Sequence, residues 1–291
     1  MRSTLKGQKG MVAPHISPKI QSHKNLIGLK DLMYIIELVI LSTWIKNADP
    51  LSLIISAIVG AGKTELIKLY SKVKGVKFLS EPTAYGIKRK YLNDIKSGKI
   101  RILMIGDLLG PLSKQKKTKD DFIAFLNTVI EEGILEVQTY AQDWKSKKFV
   151  KCGLITTIAK PDLLRKSRRW FEMGFLTRAI PLTYSYSNAT KINIYEDIAK
   201  SKNLSRTLTK KMWLPRKPVT VKQNPRINLK LIELSMNIEK WQDVYGFRRQ
   251  EQLQTLLMAN ALKNRRKHVT EEDYEKILEL SKYINLDFKE I

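Results

Sequence analysis

Ala57-Ile58-Val59-Gly60-Ala61-Gly62-Lys63-Thr64 decides how this chain is read. The apolar run Leu51 to Ile55 precedes it, and the helical pattern Glu65-Leu66-Ile67-Lys68-Leu69-Tyr70 follows it. Strand, glycine-containing loop, Gly-Lys-Thr and helix form the context that gives a phosphate-binding loop its meaning. In that reading the loop N–H groups of Gly60, Ala61 and Gly62 cradle a nucleotide's phosphates, favoured by the positive end of the next helix. Lys63 reaches the β- and γ-phosphates, and the Thr64 hydroxyl ligates Mg²⁺. ATP and Mg²⁺ are therefore the expected cofactors. Ala57 stands where the usual pattern has its first glycine; the inner Gly-Lys-Thr carries most of the geometry.

The composition adds a second theme. The chain has 291 residues, with 53 Lys and Arg against 28 Asp and Glu, a net charge of +25. That excess points to a polyanionic partner, with nucleic acid favoured over an anionic membrane surface. The single cysteine, Cys152, excludes an internal disulfide and any zinc cluster, and reads as a buried residue in a reducing compartment. His15, His23 and His268 are scattered, which argues against a histidine-based metal or catalytic site. No signal peptide is evident. The apolar stretch 32–45 holds Glu37 and is too short to span a bilayer. A soluble, intracellular, cytoplasmic protein with no membrane partner is expected.

Outward from the loop, the parts fall in a definite order. Residues 1–28 read as a flexible arm, since the first thirty positions hold no acid, several Lys and Arg, and Pro14 and Pro18. A helix at about 31–45 leads to a strand at 51–58, and 76–80 is a short strand. Residues 85–95 look helical, 101–107 form a buried strand ending in Asp107, and 122–132 are helical with Gly133 as the stop. Residues 134–140 alternate as a strand, 143–148 read as a polar, Lys-rich turn, and 149–159 as one more apolar strand. Alternating strands and helices predict an α/β fold: a three-layer αβα P-loop NTPase core over 29–198 with a mainly parallel sheet. Residues 199–230 read as a basic, partly extended connector carrying Pro215, Pro218 and Pro225. Residues 231–291 read as a small all-helical lid, with Thr270-Glu271-Glu272-Asp273 as a capping box for the last helix.

A second nucleotide signature should be an acid at the end of a neighbouring strand, and Asp107 fits as the Mg²⁺ or water-polarising carboxylate. Its register has two solutions. If Ile102 to Ile105 are the apolar four, Gly106 takes the place of the metal acid and Asp107 that of the catalytic one. Shifted by one, Asp107 is the metal acid and Leu108 replaces the other. Either way one carboxylate is missing, and Glu131, Glu132 or Glu81 is left to compensate. Thr156 or Thr157, in an apolar strand, would sense the γ-phosphate. Arg178, in Phe175-Leu176-Thr177-Arg178, would act across a subunit boundary on the transferring phosphoryl group.

These stretches together resemble an AAA+ ATPase of the branch containing MoxR-like proteins and the minichromosome maintenance helicases, over roughly residues 30–290. The loop 57–64, the acidic helix end and hairpin around 129–137, Phe175-Leu176-Thr177-Arg178, and the lid pattern from Arg248 through Asp273 carry the resemblance. The compact basic chain also resembles ATPases of phages, archaeal viruses and plasmids. The resemblance implies a homo-oligomeric ring, hexameric or similar, and makes Arg248 the lid arginine at the γ-phosphate, with Arg249 as fallback. It places the segment 136–151 at a central channel, where Lys145, Lys147, Lys148 and Lys151 would grip DNA phosphates and Trp144 or Tyr140 would stack on bases. A DNA-handling ATPase, in replication or as a helicase or its loader, is the first expectation. A MoxR-like protein remodeller and a nucleotide-gated DNA-binding switch with weak hydrolysis are the alternatives.

Overall fold

The computed structural model describes residues 15–16, 26–112, 116–139, 142–200, 209–239 and 246–285. The apolar run ahead of the glycine loop becomes a fully buried strand because it has helices on both sides. In chain order the elements are β1 (His15–Ile16), α1 (Lys30–Ser42), β2 (Leu53–Ala57), α2 (Lys63–Lys68), β3 (Val76–Leu79), α3 (Ala84–Lys96) and β4 (Ile102–Ile105). Next come α4 (Leu109–Leu112), α5 (Lys116–Asn127), a π-helical turn (Thr128–Glu132), β5 (Ile134–Thr139), β6 (Gln142–Val150) and β7 (Gly153–Ala159). The chain continues through α6 (Lys160–Glu172), α7 (Phe175–Arg178), β8 (Ile180–Thr183), β9 (Ser185–Tyr186) and α8 (Asn188–Lys200). It ends with α9 (Pro225–Glu239), α10 (Phe247–Lys263) and α11 (Glu271–Ser281).

Five strands form one parallel sheet in the order β3-β4-β7-β2-β8. Successive side chains of a strand point to opposite faces, and here each face has its own core. Leu53, Ile55 and Ala57 of β2 pack under α1, α2 and the C-terminal helices. Ile54 packs with Leu103, Ile105 and Leu154 under α3, α5, α6 and α7. This double coverage explains why β2 and β4 read as unbroken apolar runs. It also explains α1, which is apolar almost all round because it lies between the sheet and α10.

The C-terminal helices share the α1 core: Leu253, Leu256 and Leu257 of α10 and Ile277 and Leu280 of α11 belong to it. Glu37 of α1 is 5% exposed and strengthens that join, pairing with Lys263 of α10 and, at 2.5 Å, with Lys210. The last helix opens on the expected capping box of Thr270 and Asp273, and Arg266 donates two hydrogen bonds to Asp273 at 2.8 and 2.9 Å. Among the described residues no helix is long and apolar enough to cross a membrane.

Four local expectations change. The segment 143–148 is strand rather than turn: β6 pairs antiparallel with β5, Val137 opposite Trp144 and Glu136 opposite Lys145. A two-stranded ribbon with one solvated face accommodates lysines at its outward positions. Lys151 and Cys152 then break the expected 149–159 strand, so β7 begins at Gly153. In the N-terminal arm, His15–Ile16 pairs parallel with Ser185–Tyr186, and Leu26 is already core. The rest of that arm up to residue 25 lies outside the described residues. In the connector, 209–224 is extended, bridging Val219 to Ile45 and Lys222 to His268, but helix α9 starts early, at Pro225. Proline suits a first helical position because its missing N–H has no partner to lose there.

Candidate functional site

β2 ends at Ala57, and the chain reaches α2 through a short loop. Gly60 and Gly62 have φ of +80° and +78°, left-handed values that strain any residue with a β-carbon. Lys63 folds back so that Nζ donates to the carbonyls of Ala57 at 3.0 Å and Ile58 at 2.8 Å. Burial draws its pKa below the ordinary lysine value, against the opposing pull of the Asp107 charge. Ile58 and Val59 beside it are 56% and 79% exposed, so this end of the sheet is open.

Two threonines tie the loop to its neighbours. Thr64 Oγ1 donates to the Gly106 carbonyl at 3.2 Å, and Thr157 Oγ1 donates to the same oxygen at 2.6 Å. Thr157 in turn accepts at its own carbonyl from Leu108 N–H at 2.9 Å. The C-terminal ends of β2, β4 and β7 thus bring Gly60, Ala61, Gly62, Lys63, Thr64, Asp107 and Thr157 to one edge. In open parallel sheets ligands bind at such carboxyl ends. β4 stops at Ile105, so Gly106 and Asp107 both lie just beyond the strand's end. Asp107 is exposed and accepts from Leu109 N–H at 3.0 Å. Thr156, one residue over, is fully buried on the other face.

Among the described residues no group of three or more His, Cys, Asp or Glu could hold a metal by itself. The Thr64 hydroxyl and the Asp107 carboxylate are hard oxygen donors on either side of Gly106. Mg²⁺ binds through one or two carboxylates, waters and phosphate oxygens, so this sparse donor set suits it.

The two arginines lie at the opposite edge. Ile180 at the start of β8 is opposite Leu53 at the start of β2. A five-residue strand rising about 3.3 Å per residue puts roughly 15 Å between the edges. Arg178 Nε lies 2.5 Å from Glu131 and Nη2 3.2 Å from Glu132, while Nη1 donates to the Gly174 carbonyl at 2.9 Å. Gly174 has φ of +70°, which suits glycine, and a β-carbon there would make that nitrogen shift. Arg248 Nε donates to Glu131 at 2.6 Å and Nη1 to Thr177 Oγ1 at 3.0 Å. α10, packed along α1, brings Arg248 in its first turn beside Arg178, at the edge away from the glycine loop. Arg249 is buried against Gln252 and Ala179. Glu131 and Glu132, candidates for the missing carboxylate, are likewise at this edge, on the widened π-helical turn that aims both at the arginines. Such turns are rare and cluster at functional sites.

In the β5–β6 ribbon, Lys147 and Lys148 are exposed and Lys145 lies 3.6 Å from Glu136. Lys151 sits at the base, 2.7 Å from Asp49. Trp144 is not free to stack: it is 7% exposed, and its indole donates to Asn93 at 2.8 Å. Tyr140 lies outside the described residues. Phe149, 63% exposed, is the aromatic that sequence reading missed. It lies where the ribbon's register shifts, between the Ile134–Val150 and Glu136–Lys145 pairs, a stretch hidden by reading 143–148 as a turn. Also missed were Tyr184 and Tyr186, whose hydroxyls both donate to Ala61 O, at 2.7 and 3.0 Å. Cys152 is buried as expected, and burial pushes its thiol up to about 12. No family model matches this chain, and a search of curated proteins finds no match.

Proposed function

We propose that this chain is an ATPase of the AAA+ kind that acts on DNA as a ring or partial ring of identical subunits. One observation carries the reading: Thr64 and Thr157 converge on the Gly106 carbonyl and so bring Lys63 and Asp107 to one open sheet edge. In this reading the loop N–H groups and Lys63 hold the β- and γ-phosphates. Thr64 and Asp107 would hold Mg²⁺, which when bound neutralises phosphate charge. Thr157 fixes the strand end that carries Asp107.

The arginines support a composite site. Held about a strand's length from their own loop, Arg178 and Arg248 serve a neighbouring subunit's nucleotide rather than their own. A neighbour presenting its own arginines to the glycine loop would also cover exposed Ile58 and Val59. An arginine supplied in trans stabilises charge on the transferring phosphoryl group. The +25 charge and the exposed Lys145, Lys147, Lys148 and Phe149 favour DNA over a polypeptide as the partner.

The test compares wild type with a Lys145→Ala, Lys147→Ala, Lys148→Ala triple variant, measuring DNA affinity across salt and ATP hydrolysis with and without DNA. Wild type should bind DNA and hydrolyse faster with it. The triple variant should lose up to about three from the salt slope while keeping its DNA-free rate. Absence of DNA binding by the wild type at moderate salt would sink the proposal. DNA binding gated by ATP without measurable turnover would point to the switch, an outcome the single carboxylate at 107 favours.

A further inference from the structure

The chain after β8 passes beside the glycine loop and touches it at one atom. Tyr184 and Tyr186 are two residues apart in extended chain, which puts their rings on one side. The rings meet edge to face, 5.7 Å apart at 74°. Both hydroxyls donate to the Ala61 carbonyl, at 2.7 Å and 3.0 Å. Tyr184 is 3% exposed and Ala61 5%, so this is a built contact in the protein interior. Burial raises the pKa of both phenols, that of Tyr186 to about 12, so each keeps its proton and remains a donor at neutral pH.

The consequence follows from the peptide bond. The unit joining Ala61 to Gly62 is planar, and in its trans form C=O and N–H point in opposite directions. There is no cis peptide bond among the described residues. Two phenols that fix the carbonyl therefore fix the Gly62 N–H on the far side of the peptide. Gly62 has φ of +78° and no side chain to brace it, so without an outside hold this peptide turns easily. Two donors on one carbonyl also polarise the amide and make its N–H a stronger donor.

Resting on the phosphate-loop reading above, we propose that Tyr184 and Tyr186 are positioning residues for the nucleotide. They lock the 61–62 peptide so that the Gly62 N–H is aimed at a phosphate oxygen before ATP arrives. The pair acts on the phosphates alone and makes no contact with base or sugar. The paired hydroxyls share one acceptor, so either alone retains part of the hold.

The experiment measures dissociation constants for ATP and for adenosine with wild type, Tyr184→Phe, Tyr186→Phe, the double Phe variant and Lys63→Ala. Phenylalanine keeps each ring and removes only the hydroxyl. Each single change should weaken ATP about two- to tenfold, the worth of one hydrogen bond, and the double change about tenfold or more. Adenosine affinity should stay constant throughout, which a general loosening of the fold would not allow. ATP affinity equal to wild type in the folded double variant overturns the proposal, as does a parallel loss for ATP and adenosine. If the double variant does not fold, the two single variants decide by the same criteria. Lys63→Ala separates the two levels. If it loses ATP while the tyrosine variants keep it, only the positioning role fails. If it too binds ATP normally, the phosphate-loop reading fails and takes this one with it.

Discussion

At the C-terminal edge of the sheet, Lys63 rests on two neutral carbonyl oxygens. At the N-terminal edge, Arg178 and Arg248 rest on the carboxylates of Glu131 and Glu132. The cations are alike in charge and differ in what an arriving anion must displace. At the loop it displaces hydrogen bonds from a cation to uncharged carbonyls, each worth about 1.5–3 kcal/mol net. At the other edge it competes with ion pairs that are charge-assisted and share a single glutamate. The first edge is suited to bind a free anion. The second is already compensated, and an anion presented by a neighbouring subunit must replace Glu131 to gain both arginines.

The sharpest way to break this contrast is Arg178→Ala. It should lower the rate of ATP hydrolysis by the assembled protein by roughly 10³-fold and leave ATP affinity unchanged. A single-turnover assay beside a binding titration reads both, and an equal loss of affinity would erase the distinction between edges. Lys63→Ala comes next. Loss of a charged donor worth about 2–3 kcal/mol should weaken ATP roughly 30- to 150-fold. Calorimetric titration checks it, and wild-type affinity would mean that the loop does not hold phosphate.

The smallest effect belongs to a compensated charge outside both edges. Burial works against the ionised form of Glu37, but hydrogen bonds and charge from Lys210 and Lys263 outweigh it and hold its pKa below the usual carboxylate value. A depressed folded pKa contributes stability that is whole above the unfolded value. It is lost as pH drops below about 4.3 and through the lower folded value. Glu37→Gln should cost about 1–2 kcal/mol at pH 7, with the gap to wild type closing as pH falls. Urea midpoints between pH 7 and pH 3 would show it, and a gap that widens in acid would reverse the assignment.

Legibility differed between the edges for a physical reason. The loop edge is local in sequence: Gly60 to Thr64 are contiguous, Asp107 follows an apolar run and Thr157 lies within one, and each run marks itself as a buried strand. The arginine edge is assembled from residues 131, 178 and 248, and nothing in their spacing shows that α10 lies along α1. The lid pattern identified Arg248 as notable but not where helix packing would carry it. The tyrosines at 184 and 186 were invisible for a related reason, since their role is a contact made across more than a hundred residues. Lysines at 145, 147 and 148 disguised a strand because polarity was read as a turn, although Val137 and Trp144 carry the inward alternation.

The β5–β6 ribbon shares no strand pairing with the five-stranded sheet among the described residues. Its attachments include the Trp144 indole on Asn93, the Lys96 ammonium on the Lys145 carbonyl at 2.9 Å, and apolar contacts on α3 and α5. Lifting the ribbon therefore leaves every hydrogen bond of the central ladder intact. Amide hydrogen exchange should report this as a separate opening event, with ribbon protons exchanging at a free energy well below that of β2, β4 and β7. The segment proposed to touch DNA would then be the part of the molecule that can swing while its engine stays folded.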